Sequence, residues 1–144
     1  MRNERKLVGL FCAIAAVRVF VFCAAFPFFN NVDEQAHVDL VMKYARGDLP
    51  HGLGHFSAEA SEYFALYGTP EYFTAPEQFD TGKVPPPIWK LPAADRDQIV
   101  KTNAAWWRAQ QNHESGEPPL YYIAAGAWLN LGRLCGISVF QQRR

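Results

Sequence analysis

Apolar and polar residues fall into long blocks along this chain. Residues 7–29, LVGLFCAIAAVRVFVFCAAFPFF, form the first apolar block, in which twenty of the twenty-three residues are apolar and only Gly9, Arg18 and Pro27 interrupt. Wound as a helix at about 1.5 Å per residue it would extend about 34 Å, against about 30 Å of hydrocarbon in a bilayer. The pattern therefore predicts a transmembrane helix over residues 7–29. A second block, PPLYYIAAGAWLNLGRLCGISVF at residues 118–140, predicts another over residues 119–140. Its uncharged run, residues 120–132, covers only about 20 Å, so a span requires Arg133 to snorkel or the helix to run on to Phe140.

Residues 30–118 lie between these blocks and read as amphipathic helices joined by breakers. Asn31 with Glu34 three residues on is a capping-box pair opening a helix that reaches about Arg46, with Gly47 as its stop and Pro50 beyond. On that helix Asp33 and His37 share a face with Leu40, Val41 and Tyr44, whereas Glu34 points about 100° away. Residues 57–67 predict a second helix, capped by Ser57, with Tyr63, Phe64 and Tyr67 as its apolar surface. Proline at 70, 76, 85–87 and 92 predicts extended chain there, the triple proline acting as a stiff connector. A third helix is expected over residues 95–111, acidic at its start and carrying Ile99, Val100, Trp106 and Trp107.

Charge changes the picture only through its distribution, since the chain of 144 residues is neutral overall. Basic residues dominate the first six positions and the last twelve, while residues 31–118 hold thirteen acids against seven bases. By the preference of basic residues for the cytoplasmic side, the amino terminus and residues 141–144 would lie inside and residues 30–118 outside. The predicted fold class is thus mainly α and integral to a membrane: a tail at residues 1–6, two transmembrane helices, and an external, helical, aromatic-rich subdomain between them. Arg18 either points to further helices around it or tolerates an imperfect placement. A cleavable signal peptide ending at Ala25 is the rival reading of the first block, opposed by its length and by Arg18. Cys12, Cys23 and Cys135 lie in the apolar blocks, so no disulfide framework is expected outside them.

Phosphate-binding, dinucleotide-binding, zinc-protease and serine-hydrolase signatures are missing, and the acidic middle region excludes a nucleic-acid partner. Three side-chain groups could carry chemistry. The first is Asp33, Glu34 and His37, which equally suits a solvated helix amino terminus. The second is His113 and Glu114, ahead of the second apolar block. The third is His51 and His55 in HGLGH, whose glycines make poor metal-ligand geometry.

VDEQAH after one apolar block, a long aromatic loop, and NHESGEPPLYYIAAGAWLNLGRLCG opening the next resemble the amino-terminal part of the GT-C glycosyltransferases, such as protein O-mannosyltransferases and lipid A aminoarabinose transferases. The resemblance covers two patches, residues 27–50 and 112–136, and Glu117 stands where the family often has histidine. It implies a fragment of a multi-pass enzyme of the bacterial plasma membrane, cut off before its further helices and inactive alone. Such enzymes transfer a sugar from a polyprenyl-phosphate donor to an acceptor hydroxyl on the external face. By the resemblance, Asp33 or Glu34 is the catalytic carboxylate, with Asp33 favoured because His37 could orient it; His113, Glu114 and Tyr121 would bind substrate. No cofactor is required; a divalent cation is compatible with the resemblance but no ligand set supports it, and the oligomeric state is open. The competing expectation is a small two-span protein whose external loop binds a partner without catalysis.

Overall fold

The computed structural model describes residues 2–25, 29, 33–68, 75, 77 and 85–136. Along them run α1 (Arg2–Ala25), α2 (Glu34–Ala45), β1 (Gly54–His55), α3 (Ala58–Tyr67), a 3-10 turn at Ile88–Lys90, α4 (Ala93–Ala109), β2 (Gln111–Asn112), a second 3-10 turn at His113–Gly116, and α5 (Pro119–Leu134). The mainly helical character read from the sequence is present.

Local chemistry sets most of the boundaries. Ser57 Oγ accepts from the Ala60 N–H at 3.3 Å and so caps α3. Gly47 closes α2 because it takes φ 77°, letting its N–H reach the Tyr44 carbonyl and the Asp48 N–H reach that of Lys43, both at 3.0 Å. Proline opens α5, where its missing N–H costs nothing. The predicted cap residue Asn31, residues 137–140 of the second expected span and the tail at residues 141–144 lie outside the described residues. The third helix begins two residues earlier than expected, at Ala93, because Pro92 supplies the entry.

The helices pack as two pairs, α3 on α4 and α2 on α5, joined by contacts between α2 and α3. Aromatic rings fill the junction of α3 and α4: Phe64 meets Phe29, Trp107 and Phe56 edge-on at 4.9, 5.3 and 5.6 Å between centroids. The α2–α5 pair approaches much more closely. A Cβ built on Gly126 would lie 2.9 Å from the Ala45 nitrogen, so only glycine admits this crossing. Asn130, one turn further along α5, donates to the Ala45 carbonyl at 2.7 Å and satisfies the carboxyl end of α2. A two-residue antiparallel pairing, Gly54 with Asn112 and His55 with Gln111, fastens the two pairs together.

The expectation of two transmembrane helices is overturned: among the described residues no helix is long and apolar enough to cross a membrane. In α1 the charge-free run between Lys6 and Arg18 is residues 7–17, about 16 Å of helix, roughly half a hydrocarbon core. Phe29, expected to end the first span, is instead 2% exposed and packed against Phe64 and Tyr63 in the aromatic core. The second expected span is a helix of 16 residues, about 24 Å, that ends at Leu134 just after Arg133. One side of it is committed to α2 through Tyr122, Gly126 and Asn130.

Candidate functional site

The site begins at the entry to α2. Asp33 occupies the N-cap position with φ −111° and ψ 0°, yet its side chain makes no capping bond. Its carboxylate turns instead toward the 3-10 turn that follows β2. There His113 Nε2 stands 3.5 Å from Asp33 Oδ1 and 3.3 Å from Glu114 Oε1. One nitrogen thus faces two carboxylates at ion-pair distance.

A buried residue that sequence reading missed makes this meeting possible. Asn112 is wholly buried, and its Nδ2 donates to the Ala36 carbonyl and to Asp39 Oδ2, each at 2.9 Å. Its Oδ1 accepts from the Glu114 N–H at 3.0 Å, which fixes the turn carrying His113 and Glu114. Asp39, 0% exposed, is satisfied on both oxygens, because Oδ1 accepts from the Ser57 N–H at 2.9 Å and Oδ2 pairs with Lys43 Nζ at 2.7 Å. Lys43 Nζ also donates to the His55 carbonyl at 2.7 Å. These bonds hold α2, the start of α3, β1 and the 3-10 turn in one register. The i, i+4 spacing of Asp39 and Lys43 was the available sequence signal; Asn112 had none.

Beneath the cluster lies Tyr122, buried on α5 and stacked between His37 and Tyr44 with centroids 6.0 and 5.7 Å away. Its hydroxyl shares a 2.8 Å hydrogen bond with His37 Nδ1. Burial, then the negative charge of Glu114 and Glu117, raises its pKa above the usual tyrosine value, so it remains a phenol.

The expected residues therefore separate. Asp33, His113 and Glu114 converge, with one ligand-type atom from each within 4.8 Å of the others. His37 does not orient the Asp33 carboxylate: its backbone N–H bonds the Asp33 carbonyl at 3.1 Å, and its ring goes to Tyr122. Glu34 is exposed on the first turn of α2, and Tyr121 is exposed on the outer side of α5, leaving its neighbour Tyr122 to face inward. His51 is exposed, and His55 is held in β1.

The Asp33–His113 pair is open to solvent, at 51% and 62% side-chain exposure, so a solute can reach both groups. An open carboxylate with an imidazole beside it suits general-base work on a hydroxyl. The same atoms form a nitrogen-and-oxygen donor set of the kind divalent transition metals accept. Compared with known proteins, the sequence matches no family model, no curated protein and no solved structure.

Proposed function

We propose that this chain carries the base side of a glycosyl-transfer site, in which Asp33 accepts the proton of an acceptor hydroxyl. The hydroxyl oxygen bonds to the anomeric carbon of a polyprenyl-phosphate sugar. The bond from that carbon to the phosphate oxygen breaks, and polyprenyl phosphate leaves with the electron pair. A hydroxyl is a weak nucleophile, and a positioned base raises its reactivity as the new bond forms. His113 orients the carboxylate. The lipid chain of the donor keeps the reaction at the external surface of a bacterial plasma membrane.

One observation carries the reading: Asp33 in the first signature and His113 with Glu114 in the second, eighty residues apart in sequence, bring their polar atoms within 4.8 Å of one another at an open surface. A cap aspartate serving only α2 would bond its own helix, and Asp33 does not. The test is genetic and biochemical together. Membranes from the parent strain, a gene deletion, and strains encoding Asp33→Asn or Asp48→Asn are compared for transfer of labelled sugar from polyprenyl phosphate. The deletion-sensitive transfer is expected to vanish in Asp33→Asn at unchanged protein level and to persist in Asp48→Asn. Transfer that is insensitive to deletion, or that survives Asp33→Asn, refutes the proposal.

A further inference from the structure

An open cavity of about 460 Å³ lies between α3 and α4, sharing no lining residue with the Asp33 cluster, and Trp89 of the first 3-10 turn is part of its wall. Its size is that of a small-molecule site, which commonly encloses about 300–1,000 Å³. Helical spacing builds its walls. Asp97, Lys101, Ala104 and Arg108 follow one another by three or four residues along one face of α4, and Glu62 and Leu66 do so on α3. Trp89 is 38% exposed within it, tilted toward Tyr67 at 5.8 Å between centroids.

The charges are unevenly committed. Arg96 is paired with Asp97 at 3.1 Å, and Glu62 has an interaction of its own. Among the described residues, Lys101 and Arg108 have no carboxylate partner, and the Arg108 guanidinium bonds only from Nε to the Ala104 carbonyl at 3.3 Å. Two uncommitted cations therefore line a cavity with an aromatic wall. Guanidinium and ammonium groups bind phosphate oxygens through charge-assisted hydrogen bonds, and an exposed indole offers a face on which a ring can lie.

We propose that the α3–α4 cavity binds a phosphorylated ring compound, with its phosphate held by Lys101 and Arg108 and its ring laid on Trp89. Both a sugar phosphate and a nucleotide present that chemistry. The experiment titrates the full chain with glucose 1-phosphate, with uridine diphosphate and with inorganic phosphate, read by tryptophan fluorescence and calorimetry. One or both ring compounds should bind saturably, at least about tenfold more tightly than inorganic phosphate, and the tighter of the two identifies the ring.

In Lys101→Gln/Arg108→Gln, which leaves the aromatic core intact, affinity should fall about tenfold or more with unchanged circular dichroism. Trp89→Leu should weaken the ring compounds toward the level of inorganic phosphate. Asp33→Asn should leave binding unaltered, which separates this site from the proposed transfer site. Equal affinity for all three compounds, no saturation below about 10 mM, or binding indifferent to the double substitution overturns the proposal.

Discussion

Replacing Asn112 with alanine tests whether one buried amide builds the Asp33 site. The change removes three hydrogen bonds at once: those to the Ala36 carbonyl and Asp39 Oδ2, each 2.9 Å, and that from the Glu114 N–H, 3.0 Å. A bond to a charged acceptor contributes about 1.5–3 kcal/mol, and each bond between neutral groups about 0.5–1.5 kcal/mol. The side chain is 0% exposed, so water cannot readily replace what is lost. The expected destabilisation is about 3–5 kcal/mol, a large part of the 5–15 kcal/mol that typically separates folded from unfolded chains. Urea unfolding followed by far-ultraviolet circular dichroism should show the midpoint falling with the slope unchanged. Gln111→Ala, at an exposed position of the same strand, is the control and should shift it little. A second readout concerns the site: the His113 ring resonances should move in folded Asn112→Ala and stay in place in Gln111→Ala. A loss below about 1 kcal/mol, or an unmoved His113, would show that the turn is positioned by something else.

Two further outcomes follow from particular contacts. Gly126→Ala would place a Cβ 2.9 Å from backbone nitrogen of Ala45, so the helices must separate; overpacking of about 1–3 kcal/mol should outweigh the roughly 1 kcal/mol gained in helix propensity, and a thermal midpoint equal to or above that of the parent would contradict the close crossing. Burial, with the charge of Tyr67 adding to it, pushes Tyr63 up to about 12 from 10.0, so the unfolded chain ionises first. The stabilising contribution is complete below pH 10 and is lost as pH rises through about 12. Tyr63→Phe should therefore lose less stability across that window in parallel urea titrations, and equal losses would refute the assignment.

What was legible in the sequence was local. Gly47 and Ser57 announced the end of α2 and the start of α3 because left-handed glycine and a capping hydroxyl act on their own neighbours. Hydropathy failed at Phe29 because apolar character does not distinguish a side chain facing lipid from one facing the protein's own core. The pairing of Asp33 with His37 failed for a geometric reason. Asp33 sits at the cap with ψ 0°, outside the regular helix, so the four-residue spacing does not align the two side chains. Its actual neighbour, His113, arrives through a strand pairing of two residues, far too short to leave an alternating pattern. Tyr121 and Tyr122 are adjacent and chemically alike; only the docking of α5 on α2 decides which one faces inward.

Two aspartates six positions apart show how the fold divides structure from chemistry. Asp39 is buried with Lys43, Asn112 and the Ser57 N–H around it, and a buried carboxylate is tolerated only when its lone pairs are met in this way. Removing any one partner strands a charge away from water, so this group is a strut with no surface open to a substrate. Asp33 has the opposite endowment: half its side chain faces solvent, its helix makes no claim on its carboxylate oxygens, and the imidazole beside it is exposed too. A base must lose and regain its proton in each cycle, which an open carboxylate can do at little cost to the fold. The buried aspartate fixes the distance between α2 and the 3-10 turn, and that distance is what lets the exposed one meet His113. Asp39→Asn should accordingly disturb stability first and the site through it, whereas Asp33→Asn should leave stability nearly untouched and remove only the carboxylate that faces His113.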